Sequence, residues 1–155
     1  EQVRLALKYL VNGQEEKVVE HLQNLVNLYP SDPQTHKLLY LIQQMLFKDM
    51  EGAIESLKRA IKECPDYPLP YNQLGYAYME LEDYEKAEEA LDTYIRLAPN
   101  QANPYDSKGD YFMATEQYQK ASESYMKAYE IDPDAFPNNE KKAKKARMLM
   151  QKAEI

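Results

Sequence analysis

The sequence has little of what most catalytic, metal-binding and membrane-spanning sites are built from. Its 155 residues include one cysteine, two histidines, four glycines and no tryptophan. A single cysteine, Cys64, excludes an intramolecular disulfide and a cysteine-rich metal site, and two histidines are too few for a histidine cluster. The scarcity of glycine argues against a phosphate-binding loop. No apolar run approaches the roughly 20 residues that span a bilayer. We therefore predict no metal, no cofactor and no membrane span.

The chain is acidic, and its charge is unevenly distributed. The formal charge is −7; residues 1–65 carry 8 basic and 9 acidic groups, residues 66–137 carry 5 and 15, and residues 138–155 carry 6 and 2. An acidic body lacks the basic footprint that displaces counterions from nucleic acid, so general nucleic-acid binding is not expected. Because the first residue is Glu1 rather than Met, we expect upstream residues, with any targeting signal, to be missing. The compartment, cytoplasm or periplasm, stays open.

Prolines recur with a period of about 34 residues. Pro65, Pro99 and Pro133 are spaced by 34, and Pro30 precedes Pro65 by 35. Each follows an apolar, helix-like run, and a second proline follows each of them, at Pro33, Pro68, Pro104 and Pro137. Proline lacks an N–H but fits the first helical turn, so paired prolines separate consecutive helices. This period predicts stacked helix pairs, each of which buries its apolar face only against its neighbours.

Two repeat units are regular. Residues 68–101 and 102–135 align without gaps and share ten identities in 34. The motif residues of the repeat at 68–101 are Tyr71, Leu74, Gly75, Tyr78, Tyr84, Ala87, Leu91, Tyr94, Leu97 and Pro99. Those of the repeat at 102–135 are Tyr105, Lys108, Gly109, Phe112, Tyr118, Ala121, Tyr125, Ala128, Ile131 and Pro133. The pattern resembles the tetratricopeptide repeat (TPR) family, with Lys108 at a usual leucine position and Tyr94 at a usual small-residue position. Gly75 and Gly109 are predicted to lie where the two helices of a pair cross, since a missing Cβ lets the axes approach.

The resemblance implies an all-α, right-handed superhelical solenoid of antiparallel helix pairs, closed by a C-terminal capping helix. We predict a single domain over residues 1–155, with units at about 1–33, 34–67, 68–101 and 102–135 and the capping helix at 138–155. The first two units are degenerate, because the first helix of the second unit, about 35–47, has no glycine. The lysine-rich capping helix is interpreted as a solvated end, or alternatively as a contact for an acidic partner or nucleic acid.

The resemblance also implies a concave groove, lined by the first helix of each pair, that binds a peptide or protein segment. Among the family's groove positions, twelve residues are predicted as partner contacts here: Tyr40, Gln43, Asn72, Gln73, Tyr76, Met79, Glu80, Asn103, Asp106, Ser107, Asp110 and Met113. Family members that clamp the terminal carboxylate of heat-shock chaperones use Lys, Arg and Asn there. Asp106 and Asp110 would repel a carboxylate, so we expect no such ligand. Acidic groups beside tyrosine and methionine suit a basic or aromatic partner.

No residue combination points to catalysis. Cys64 ends a helix, where the dipole disfavours a reactive thiolate, and His21 and His36 are interpreted as surface or boundary residues. We predict a protein-interaction or scaffold module of bacterial type, without catalytic residues. Two alternatives remain: a regulatory segment of a larger protein whose enzymatic domain lies outside this chain, or a self-association module. The expected state is a monomer or a weak homo-oligomer.

Overall fold

The computed structural model describes residues 2–29, 32, 35, 38–39 and 50–153, and within these ranges it contains helices and no strand. The helices are α1 Gln2–Val11, α2 Glu15–Leu28, α3 Met50–Glu63, α4 Leu69–Glu80, α5 Tyr84–Leu97, α6 Ala102–Ala114, α7 Tyr118–Ile131 and α8 Asn139–Ala153. The chain divides into two compact units, Glu1–Pro70 and Tyr71–Ile155. The four-repeat division and the single domain over 1–155 stay predictions.

Helix ends follow the prolines as the sequence predicted. The helices α3, α5 and α7 end at Glu63, Leu97 and Ile131, two residues before Pro65, Pro99 and Pro133 respectively. The residue before a proline is sterically pushed out of the helical region, so the last helical residue lies one position further back. The period of the prolines therefore sets the period of the helices.

The first unit has a core of aliphatic side chains. Ala6 of α1 packs with Val18, Leu22, Leu25 and Val26 of α2. On α3 the buried residues include Ala53, Leu57 and Ala60, whose spacing places them on one helical face. Leu39 completes the α1–α2 cluster.

The second unit is built from α4–α8. Its buried residues on α5 and α7 are Ala87, Ala90, Leu91 and Tyr94, and Ala121, Ser122, Tyr125 and Ala128. A Cβ added to Gly75 would lie 2.6 Å from Cγ of Leu91, and one added to Gly109 would lie 2.5 Å from Cε1 of Tyr125. Real Cβ atoms do not approach that closely, so only glycine permits these helix crossings. The predicted role of both glycines is confirmed.

The turns inside the two regular pairs share an unusual backbone feature. Glu82, between α4 and α5, and Glu116, between α6 and α7, both have φ of +58°. The next amides close the turns: N–H of Asp83 donates to the carbonyl of Tyr78 at 2.9 Å, and N–H of Gln117 donates to the carbonyl of Phe112 at 2.8 Å. This satisfies carbonyls at the helix ends but holds a glutamate in the left-handed region that glycine prefers.

Candidate functional site

Ten of the twelve predicted groove residues lie on α4 and α6, the first helices of the two regular pairs; we call them the A-face. Tyr40 and Gln43 lie outside the described residues. Glu80 is exposed, and most of the A-face is half-buried: Asn72, Gln73, Tyr76, Met79, Asn103, Asp106, Asp110 and Met113. Ser107 is only 1% exposed. We therefore leave Ser107 out of the surface that a partner can touch.

Asp110 of the A-face has hydrogen-bond partners on three other helices. The hydroxyl of Tyr76 donates to Oδ2 of Asp110 at 2.7 Å. The hydroxyl of Tyr125 donates to Oδ1 at 2.8 Å, and Nζ of Lys142 donates to the same oxygen at 3.3 Å. Both carboxylate oxygens of Asp110 therefore have donors, and these come from α4, α7 and α8.

Lys142 of α8 is shared between the two A-face aspartates. Its Nζ donates to Oδ1 of Asp106 at 2.7 Å, and it lies 4.8 Å from the centre of the Tyr125 ring. Burial lowers the pKa of Lys142, but the hydrogen bond to Asp106 and the charges of Asp110 and Asp106 outweigh it, so the pKa lies above its ordinary value. Lys142 is thus a protonated lysine held by two carboxylates and a ring. Tyr76, Asp106, Asp110, Tyr125 and Lys142 form what we call the Asp110 cluster.

The two tyrosines of the Asp110 cluster act as hydrogen-bond donors. Burial raises the pKa of Tyr76, and the nearby Asp110 charge adds to this. Burial likewise raises the pKa of Tyr125, and its hydrogen bond to Asp110 raises it further. Both hydroxyls keep their protons throughout the physiological range, and each proton is directed at the same carboxylate.

Lys142 is not at one of the groove positions that the sequence indicates, although one signal in the sequence points to it. Lys142 lies 34 residues after Lys108, at the same position of the repeat. Lys108 bonds Glu88 and Asp92 of α5, at 3.1 Å and 2.6 Å. In the repeat at 102–135 the positions that correspond to Glu88 and Asp92 hold Ser122 and Met126. Lys142 has no acids at those positions, and it binds the acids of α6 instead.

Lys108 itself is buried, with only 5% of its surface exposed. Its Nζ lies 4.8 Å from the centre of the Tyr111 ring and 5.1 Å from that of Phe112. Burial and the charge of Glu88 raise the pKa of Tyr111 to about 12. The lysine that departs from the family pattern is therefore accommodated by two carboxylates and two aromatic rings.

The residues weighed for catalysis and metal binding are spread over the chain. Cys64 is half-buried at the end of α3, the ring of His21 lies 6.0 Å from that of Tyr9, and His36 lies outside the described residues. In the part of the chain that the structure describes, no three His, Cys, Asp or Glu side chains are grouped to hold a metal ion. None of the helices within these ranges combines the length and apolar character needed to cross a bilayer.

Solved structures with the same fold include the following three proteins. TTC0263, a thermophilic TPR protein of Thermus thermophilus, superposes with a TM-score of 0.76 at 21% identity over 93% of this chain and 78% of its own. A MamA protein gives 0.68 at 25% identity, covering 84% and 71%. PilF of Pseudomonas aeruginosa gives 0.71 at 18%, covering 97% and 74%. No curated protein matches the chain in sequence.

Family models decide the classification. Two models described as "Tetratricopeptide repeat" match residues 45–108 and 102–135, and together they span more than half of the chain. These matches and the structural neighbours confirm the predicted all-α helical-repeat class. The chain belongs to the tetratricopeptide repeat family, whose domains are protein–protein interaction modules that bind proteins or peptides.

Proposed function

We propose that this chain binds a segment of a partner protein along the A-face and carries out no catalysis of its own. One observation carries the proposal. The Tyr76–Asp110 hydrogen bond of 2.7 Å joins the same repeat position on two successive first helices. It fixes the side chains of Tyr76 and Asp110 relative to each other before any partner arrives, which lowers the ordering cost of binding at these two residues.

The chemistry of the A-face favours a partner with apolar or aromatic side chains and few basic ones. Met79 and Met113 offer flexible, polarisable contact area. Glu80 is exposed and supplies a negative charge. Asp106 and Asp110 share Lys142, so this trio contributes a net charge of −1 rather than −2. The basic partner inferred from sequence therefore meets a weaker acidic field here than the two aspartates alone suggest.

The test compares two charge reversals in affinity capture from native lysate. Glu80→Lys reverses a charge on the A-face, and Glu89→Lys reverses a likewise exposed charge on α5. Like charges brought together at an interface oppose binding, so we expect Glu80→Lys to lose the captured protein severalfold while Glu89→Lys keeps it. Equal capture by both variants and the wild-type chain would refute the A-face as the binding surface. Reversal of Asp106 and Asp110 is unsuitable, because it would also repel or release Lys142.

A second candidate, self-association, is favoured by exposed apolar residues in the first unit. Leu7 is 49% exposed, Val11 is 85% exposed, and Leu28 and Tyr29 are 70% and 60% exposed. Leu7 and Val11 are four residues apart on α1, so they lie on one helical face and give it an exposed apolar pair that a second copy can cover. Light scattering over a concentration series tests it. A mass that stays near 18.1 kDa, the mass of one chain, excludes self-association. A rising mass that Val11→Glu abolishes supports it.

A further inference from the structure

The capping helix α8 docks on the second unit through two alanines that pack with Ala121 and Tyr125 of α7. Its buried residues are Asn139, Ala143 and Ala146. Two alanine side chains bury far less area than a leucine and a tyrosine such as Leu91 and Tyr125. The Lys142 contacts therefore add to an apolar interface in which the side chains fully buried on α8 are small.

The polar contacts that hold α8 end on the A-face. Lys142 bonds Asp106 at 2.7 Å and Asp110 at 3.3 Å. Elsewhere on α8, Lys144 forms an ion pair with Glu140 of its own helix at 3.0 Å, which does nothing to dock the helix. The same Asp110 carboxylate accepts the hydroxyl of Tyr76 from α4. One carboxylate thus connects a proposed partner-binding residue to the capping helix 66 positions later in the sequence.

We propose that α8 is an autoinhibitory element. Lys142 binds the A-face carboxylates Asp106 and Asp110 in place of a partner, and the docking of α8 is coupled through Asp110 to the Tyr76–Asp110 hydrogen bond. A cationic partner group at Asp106 or Asp110 competes with Lys142 and releases α8. Conversely, loss of the Lys142 contact frees both acids for the partner. The coupling is a property of the folded chain alone, whereas its regulatory consequence rests on the proposed binding function of the A-face.

The contacts explain how the Tyr76 hydroxyl affects the docking of α8. The Tyr76 hydroxyl fixes Oδ2 of Asp110, and this leaves Oδ1 facing both Tyr125 and Lys142. Without the Tyr76 hydroxyl the carboxylate can rotate, and the Lys142 contact loosens. Coupling is reciprocal, so removing Lys142 also alters the surroundings of Tyr76.

Amide hydrogen exchange of α8 tests the coupling without a partner. We expect Tyr76→Phe to speed exchange in α8 by about fivefold or more, the low end of coupling between linked sites. Tyr78→Phe is the matched control, because it removes a hydroxyl from the same helix, at a ring that lies 5.5 Å from Nζ of Lys86. Lys142→Met should also speed exchange in α8, and the control Lys144→Met should not. In the double variant Tyr76→Phe/Lys142→Met, the second change should add less than it does alone. Full additivity, or equal effects of Tyr76→Phe and Tyr78→Phe, would overturn the coupling.

A binding measurement separates this inference from the proposed function. With a captured partner, Lys142→Met should tighten binding severalfold, whereas Lys144→Met should leave it unchanged. Unchanged or weaker binding by Lys142→Met, with Glu80→Lys still disruptive, overturns autoinhibition and leaves the A-face proposal standing. If hydrogen exchange shows the coupling but Glu80→Lys binds the partner as well as the wild-type chain does, the A-face proposal is overturned. The regulatory role of α8 is then overturned with it.

Discussion

Lys108→Met removes the charge of a buried side chain while keeping most of its length. The Lys108 side chain is 6% exposed, and its Nζ lies 3.1 Å from Glu88 and 2.6 Å from Asp92. Those two carboxylates are 45% and 60% exposed, so they can be solvated by water when the ammonium is gone. The substitution Lys108→Ala, with which it is compared, removes both the charge and the side-chain volume.

The expected magnitudes of the two changes differ because they remove different interactions. Lys108→Ala deletes about three buried methylene groups at about 0.8 kcal/mol each and leaves a cavity under Tyr111 and Phe112, so the free energy of unfolding should fall by about 2–4 kcal/mol. Exposed carboxylates contribute only about 0–1 kcal/mol per ion pair, and burying an ammonium costs several. Lys108→Met should therefore lower stability by no more than about 1 kcal/mol and can raise it.

Urea unfolding followed by tyrosine fluorescence measures the difference, since the chain has 14 tyrosines and no tryptophan. A loss of stability in Lys108→Met as large as that in Lys108→Ala would refute the reasoning and make the ion pairs the main contribution.

The pKa of Glu88 provides a second measurement. Burial raises its pKa, but the hydrogen bond and charge of Lys108 lower it more, so the pKa lies below its ordinary value. In Lys108→Met the pKa of Glu88, followed by NMR, should rise.

Three further changes test the packing, the turns and the Asp110 cluster. Gly109→Ala places a Cβ 2.5 Å from the Tyr125 ring and should cost about 1–3 kcal/mol in urea unfolding. Glu116→Gly relieves a side chain held at φ of +58° and should raise the melting temperature, with a gain of about 1 kcal/mol. Raising the pH above about 10 should undock α8, seen as faster amide exchange relative to α6. The pKa values of Lys142 and Tyr125 lie above their ordinary values of 10.5 and 10.0, so their stabilisation is complete below those values and is lost as the pH rises through the folded-state pKa.

Each of these predictions has a control. Gly75→Ala should also destabilise, because its Cβ would lie 2.6 Å from Leu91; neutral behaviour of both glycine variants would contradict the close crossings. Glu123→Gly, inside α7, should lose about 1 kcal/mol where Glu116→Gly gains it. In Lys142→Met the alkaline effect on α8 should be smaller, and an unchanged pH profile would contradict the role of Lys142.

The features that the sequence predicted are those that depend on local spacing. The prolines located the helix ends, and the positions of Gly75 and Gly109 located the helix crossings, because a fixed period places the same neighbour over each glycine. Among the tyrosines of the motif, Tyr78, Tyr94 and Tyr125 are buried, and the others are half-buried: Tyr71, Tyr84, Tyr105 and Tyr118.

The features that the sequence could not predict are those that depend on where a long side chain reaches. The sequence predicts that Asp106 and Asp110 face a partner, and in the structure both bind Lys142 of the capping helix. Lysine has a flexible stem, so its repeat position alone does not select between acids on the preceding first helix and acids on the preceding second helix. The absence of acids at Ser122 and Met126 is visible in the sequence, but it indicates which acids Lys142 binds only when the position of α8 is known.

The most direct test of the A-face is methyl NMR of the methionines during titration with a captured partner. Met79 and Met113 lie on the A-face, while Met126 and Met148 lie on α7 and α8, so the four methyl groups report on different surfaces of one unit. Binding along the A-face predicts that Met79 and Met113 shift with the same partner concentration dependence, whereas Met126, which packs against the cluster containing Ala143 and Ala146, shifts only if binding also releases α8. Shifts confined to Met126 and Met148, with Met79 and Met113 unmoved, would contradict the proposed binding surface.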